Sequence, residues 1–189
     1  MYKLKIIIAT TRPGRKGPTV AEWVNELAKE FTDFDTELVD LNAFGLPLMD
    51  EPEHPRLRKY QHEHTKRWSK LIDEADAYII VTAEYNFSFP AAIKNALDYL
   101  FFEWGHKPVA FVSYGGISGG LRCVQALKQV VTALKMMPMV EAVTLPFFTK
   151  NINEAGKFVA DENIKQSGQA MFTELLKWTA ALKPMRLQI

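Results

Sequence analysis

The sequence predicts an α/β domain in three layers, with a five-stranded parallel sheet between helices. Three observations lead there. Short apolar runs alternate with segments of helical periodicity from end to end. The runs are nearly continuous in Ile, Val, Leu and Ala, as in strands buried on both faces. Polar or glycine-rich loops follow the first, third and fourth runs, where an open parallel sheet holds ligands.

The elements follow in order. Leu4-Lys5-Ile6-Ile7-Ile8-Ala9 reads as a buried strand. Val20, Trp23, Val24, Leu27, Ala28 and Phe31 then recur at helical spacing. Thr36–Leu41 is a second strand, and Leu57, Tyr60, Trp68, Leu71, Ile72 and Ala75 mark one face of a second helix. A strand over 77–82 leads to a helix carrying Ile93, Ala96, Leu97, Leu100 and Phe101. Val109–Ser113 is the fourth strand, and Leu121, Val124, Leu127, Val131 and Leu134 line the next helix. Met139–Val143 is expected as the last strand, and Phe172, Leu175, Leu176, Thr179 and Leu182 belong to a closing helix. Right-handed crossovers leave few topologies. In the order 2-1-3-4-5 the three loops meet at one edge, with the reversal between strands one and three.

At 189 residues the chain suits a single domain spanning 1–189. Hydrophobic residues make up 48% and charged residues 24%, as in ordinary soluble proteins. A net charge of +1 gives no electrostatic case for nucleic acid or an anionic membrane, so neither is expected as a partner. Cys123 is the only cysteine, which excludes an intrachain disulfide and fits a reducing cytoplasm. The first residues enter a strand at once, so no signal peptide is expected. No apolar run approaches the roughly 18 residues that span a bilayer.

The first loop, Thr10-Thr11-Arg12-Pro13-Gly14-Arg15-Lys16-Gly17-Pro18-Thr19, has the chemistry of an anion site. Hydroxyl and backbone donors suit phosphate oxygens, and Arg12, Arg15 and Lys16 supply charge, although not all three are expected to reach the ligand. Pro18 suits a first helical position, and the helix start presents free N–H groups and partial positive charge. No Walker A run and no Gly-x-Gly-x-x-Gly is present, so a terminal monophosphate is expected rather than a triphosphate.

The second loop, Glu84-Tyr85-Asn86-Phe87-Ser88-Phe89-Pro90, is polar and aromatic, which suits a flat heterocycle. Ser88 is expected near a helix cap and Pro90 in the first turn, leaving the N–H groups of Glu84 to Phe87 for a ring's carbonyls and nitrogens. Tyr85 or Phe87 would lie along one ring face. In the third loop, Ser113-Tyr114-Gly115-Gly116-Ile117-Ser118-Gly119-Gly120, glycines let the backbone run close to a ligand.

On these motifs the chain resembles the NAD(P)H-dependent FMN reductases, a flavodoxin-like family that includes quinone, azo-dye and chromate reductases. The family's Gly-Ser-x-Arg is matched by Ala9, Thr10, Thr11 and Arg12. Its Pro-Glu-Tyr-Asn, followed by Ser, Pro and Leu-Lys-Asn-Ala-x-Asp, is matched by Glu84, Tyr85, Asn86, Ser88, Pro90, Lys94, Asn95, Ala96 and Asp98, with Ala83 and Ile93 as departures. Its Ser-x-Gly-x-x-Gly-Gly is matched by Ser113, Gly115 and either Gly116 or the pair Gly119 and Gly120.

The resemblance implies FMN as cofactor and NAD(P)H as co-substrate. It places the phosphate on Thr10, Arg12, Arg15, Gly17 and Thr19, and the isoalloxazine ring on Glu84, Tyr85, Asn86, Phe87, Ser113, Gly115 and Gly116. It implies hydride transfer to flavin N5, then reduction of free flavin, a quinone or a similar acceptor in a ping-pong cycle. No side-chain acid or base is nominated, and backbone donors at Gly115 and Gly116 are expected to stabilise negative charge on the ring. A homodimer or a dimer of dimers is implied. The alternatives are a flavodoxin-type electron carrier, usually strongly acidic, and a flavin-binding regulatory module.

Other residues are set aside. No metal site is expected, since His62 and His64, two apart on one helix, would not face each other. Cys123 reads as a small packed residue. Phe101, Phe102 and Trp104 cannot all face one core, so one is expected at a subunit boundary or the flavin edge. Asp50, Glu51 and Glu53 read as a solvated loop or as a wall donated across a dimer.

Overall fold

The computed structural model describes residues 1–186. Its strands are β1 (Tyr2–Ile8), β2 (Phe34–Asp40), β3 (Ala77–Ala83), β4 (Pro108–Gly115), β5 (Met137–Pro138) and β6 (Val143–Pro146). Its helices are α1 (Gly17–Ala28), α2 (Leu41–Phe44), α3 (Glu63–Asp73), α4 (Ala91–Asp98), α5 (Leu121–Ala133) and α6 (Glu162–Arg186). The sheet runs β2-β1-β3-β4-β5, and β6 also pairs with β4. Every strand pair is parallel.

The two-residue period of β1 feeds two cores. Leu4, Ile6 and Ile8 pack with Val20 and Val24 of α1 and Phe172 of α6. Ile7 faces the other way, with Trp68 of α3, Leu97 of α4 and Leu127 of α5. Chain reversal between β1 and β3 therefore opens a crevice at their carboxyl ends, as the expected order requires.

Three expectations change in detail. The strand expected over 139–143 is two short strands separated by a bulge. β5 ends at Pro138, which lacks an N–H; Val140 is 83% exposed; and pairing with β4 resumes at Val143 opposite Val112. The second helix does not reach back to Leu57 and Tyr60. Residues Pro55–Leu57 form a 3-10 turn that Arg58 ends at φ 52°, and Glu51 accepts from the N–H groups of Gln61 (2.8 Å) and His62 (3.0 Å) at the start of α3. The loop over 42–55 is partly ordered by α2, which Asp40 caps at Asn42 N (3.0 Å).

The set-aside residues also gain places. Because His62 precedes α3 rather than lying on it, its ring stacks on that of His64 at 5.2 Å, contrary to the helical expectation. His64 Nε2 contacts Asp50 Oδ1 at 2.9 Å, and Tyr99 Oη donates to the same oxygen at 3.0 Å. Asp50 and Glu51 thus anchor their loop. Burial alone would raise both carboxyls, but these bonds hold each below its ordinary range. Trp104 is fully buried against Trp68 and Tyr78, while Phe102 is exposed beside Phe101.

Candidate functional site

At the carboxyl edge of the sheet the first, second and third loops border one cavity of about 320 Å³. One end is basic, with Arg12, Arg15 and Lys16; the middle is Ala83–Tyr85 and Tyr114–Gly116; the far wall is Phe147–Thr149. Of the twelve residues expected at the site, Arg12, Arg15, Glu84, Tyr85, Gly115 and Gly116 form this wall.

The other six stand behind it or beside it. Thr10 is buried, with its hydroxyl 3.3 Å from Tyr114 Oη. Gly17 packs against Thr10, since a Cβ there would lie 2.5 Å from Thr10 Oγ1. Thr19 Oγ1 donates to Gly156 O (2.7 Å) and accepts from Phe158 N (3.2 Å). Ser113 is buried and donates to Gly119 O (2.9 Å), closing the glycine loop on itself. Asn86 and Phe87 sit at the tip of an exposed turn.

Charge at the basic end is unevenly available. Arg15 grips Asp40 through both terminal nitrogens (2.6 and 3.3 Å) and donates to Thr10 O (3.3 Å), so it orders the loop. Arg12 is exposed and has no carboxylate partner among the described residues. No side chain caps α1, which leaves its first N–H groups to an anion.

The second loop is a tight hairpin. Tyr85 and Ser88 exchange both backbone hydrogen bonds at 2.9 Å, and Asn86 (φ 49°) and Phe87 (φ 66°) take the left-handed conformations of a type I′ turn. Ser88 thus closes the turn, and Pro90 occupies the position before α4. Glu84 N donates to Tyr114 O (3.2 Å), which leaves only the N–H groups of Asn86 and Phe87 free in this stretch among the described residues.

The hairpin is clamped from α5. Glu84 accepts from Arg122 Nε (2.7 Å), Arg122 N (3.2 Å) and Ser118 Oγ (2.9 Å). Burial would raise the Glu84 carboxyl, but these donors hold it below the usual carboxylate range. Neighbouring Cys123 is fully buried, and burial pushes its thiol up to about 12, so it is a packed residue.

The third loop separates its glycines by task. Gly119 and Gly120 have positive φ and no room for a Cβ, whose nearest neighbours would be Thr144 Cγ2 at 2.6 Å and Ser113 Cβ at 2.7 Å. Gly116 faces open space. Phe147 N donates to both Gly115 O (3.0 Å) and Gly116 O (3.2 Å), and Phe148 packs on Tyr114 with centroids 4.6 Å apart. Phe147, Phe148 and Tyr114 were missed by sequence reasoning. The available signal was an aromatic pair directly after the last strand of a parallel sheet.

Residues 2–150 match the family described as NADPH-dependent FMN reductase. The chain belongs to that family. It is 45% identical over 148 residues to an NAD(P)H-dependent FMN reductase of Schizosaccharomyces pombe, covering 76% of this chain and 74% of that one. It is 41% identical over 146 residues to a quinone reductase of Escherichia coli, covering 72% and 74%. Among solved structures, the flavoenzyme NAD(P)H:acceptor oxidoreductase FerB of Paracoccus denitrificans superposes with a TM-score of 0.78 over 96% of this chain and 99% of that one, at 21% identity, which establishes the shared flavodoxin-like fold.

The site fits FMN on its own chemistry. A basic end beside an uncapped helix suits the phosphate. Free N–H groups at Asn86, Phe87 and Gly116 among the described residues suit the polar edge of a ring, and aromatic side chains stand opposite.

Proposed function

We propose that this chain is an FMN-dependent NAD(P)H oxidoreductase that works by ping-pong turnover on free flavins, quinones or similar small acceptors. The observation that carries the proposal is the convergence of an anion-suited loop, a donor-lined middle and an aromatic wall on one carboxyl-edge cavity. When bound, FMN supplies the hydride acceptor and donor of the reaction. The chain's own residues bind and orient it. Arg12 and the start of α1 would hold the phosphate, with Arg15 and Thr10 shaping the loop behind. The hairpin at 84–88 and the glycines at 115 and 116 would hold the ring. The main-chain donor at Gly116 would stabilise negative charge at that end of the site.

No side chain in the cavity wall is assigned as acid or base. Tyr114, its hydroxyl pushed up to about 12 by burial against the lowering effect of Thr10, stays neutral at physiological pH and serves as a packing and donor group. NAD(P)H and the acceptor would use the open side of the cavity in turn, which gives ping-pong kinetics. The proposal includes a homodimer. Asn95 ties the loop carrying Leu48, 83% exposed, to α4 through Met49 N (2.9 Å) and Pro47 O (2.6 Å), presenting an apolar edge. A cytoplasmic location is proposed on the single buried cysteine, and no described helix is long and apolar enough to cross a membrane.

The test is anaerobic addition of NADPH to the FMN-loaded protein. Loss of the flavin's visible absorbance, its return on adding a quinone, and parallel lines in double-reciprocal rate plots are expected. An unchanged spectrum would favour an electron carrier or a regulatory module.

A further inference from the structure

A second cavity lies apart from the FMN site. It measures about 620 Å³ and lies at the opposite end of the sheet, beneath the amino ends of β3 and β4. The last residues of α3, α5 and α6 and the turn after Phe101 enclose it. Its volume is within the range of small-molecule sites.

Its charge is one-sided. Four cations, Arg58, Lys135, Lys183 and Arg186, line it together with the buried amine of Lys107, against two carboxylates, Asp73 and Asp76, in a chain whose net charge is only +1. Asp76 is already committed to Arg186 (2.6 Å), Lys183 (3.2 Å) and Lys3 N (2.9 Å). Lys107 is buried, and its ammonium donates to Ile72 O, Asp73 O and Tyr78 Oη. It offers the cavity no spare donor. Arg58 and Lys135 have no carboxylate partner among the described residues, and Arg186 Nε is buried without an acceptor.

The remaining wall is apolar and aromatic. Phe101 and Phe102 meet edge to face at 5.2 Å, Arg58 lies 5.1 Å from the Phe102 ring, and Leu134 closes the side.

Backbone strain points to the same place. Six non-glycine residues have positive φ among those described. Asn86, Phe87 and Phe147 stand at the FMN site; Arg58, His106 and Lys135 line this second cavity. Such conformations persist where surrounding structure enforces them, and they concentrate at ligand sites. Here His106 N donates to Lys135 O at 2.8 Å, joining two of the three.

We propose that this cavity is a second binding site, for a small organic anion that carries a flat aromatic ring. The ring lies against Phe101, Phe102 and Leu134, and the phosphate or carboxylate is met by Arg58, Lys135 and Arg186. The site is independent of the redox chemistry at the other edge of the sheet.

The test is calorimetric titration of the FMN-saturated protein with 1-naphthyl phosphate. One-to-one saturable binding is expected, with at least a tenfold loss of affinity in the Arg58→Glu/Lys135→Glu double variant and a smaller loss in Phe102→Ala. Each variant must first bind FMN like the parent, which establishes that it folds; Lys135→Ala is the milder variant if the double one does not. No saturation, or equal affinity in parent and folded variants, overturns the proposal. A loss of probe affinity in Arg12→Ala as large as in the Arg58→Glu/Lys135→Glu variant overturns it by placing the probe at the flavin site. Equal affinity for inorganic phosphate overturns the aromatic half of the assignment.

Discussion

Arg122 and Glu84 form an ion pair at 2.6 Å that joins α5 to the loop leaving β3. The same guanidinium covers the Phe87 ring at 3.8 Å. One side chain therefore fastens both the base and the tip of the strained hairpin that presents the Asn86 and Phe87 N–H groups. Arg122→Ala is expected to weaken FMN binding about tenfold and to cost about 1 kcal/mol of stability, since Glu84 loses its cation but keeps Ser118 Oγ and the Arg122 N–H. Arg122→Lys should restore most of the stability but less of the affinity, because an ammonium keeps the charge without the flat stacking surface. Fluorescence titration with FMN and urea melts measure the two effects.

Arg12→Ala should reduce FMN affinity by about 1.5–3 kcal/mol while leaving riboflavin binding nearly unchanged, since only FMN carries the phosphate. Arg15→Ala should act more through stability, because its partners are Asp40 and Thr10 O. Equal losses for both ligands in Arg12→Ala would remove that residue from the phosphate site.

The glycines of the third loop should separate cleanly. Gly119→Ala meets Pro146 N at 2.8 Å from a strained φ of 58° and should destabilise the fold by about 2–4 kcal/mol. Gly116→Ala meets nothing and should leave thermal stability within about 0.5 kcal/mol. Its effect should fall on FMN affinity, measured by titration.

Lys107 makes stability depend on pH. Burial lowers its pKa to about 7, although the nearby Asp73 acts in the opposite sense. Below pH 7 both folded and unfolded chains hold the proton, and the cost of the buried charge is fully present. From pH 7 towards the ordinary lysine value of 10.5 only the unfolded chain keeps it, so stability from this group rises with pH, by at most about 1.4 kcal/mol per unit. Lys107→Met should flatten that rise in urea melts taken at pH 7, 8 and 9. An identical slope in the variant would mean that Lys107 titrates normally.

The strand order and both cores were legible because β1, β3 and β4 are continuous apolar runs and the helices repeat at 3.6. The short edge strands were not, because Pro138 and the exposed Val140 break the run into a two-residue and a four-residue piece, each of which pairs only with β4. At the site, motif position located the three loops. What sequence could not supply was the direction of each side chain. Thr19 and Ser113 point back into their own scaffold, Arg15 turns to Asp40, and Phe147 joins the glycine loop from thirty residues away through its N–H.

Thr19 deserves its place in the binding loop for a reason other than phosphate. With one hydroxyl bonded to both sides of the 156–158 turn, it rivets the late excursion of the chain to the first turn of α1. Lengthening that excursion near Gly156 would therefore tug on the phosphate end of the cofactor cradle.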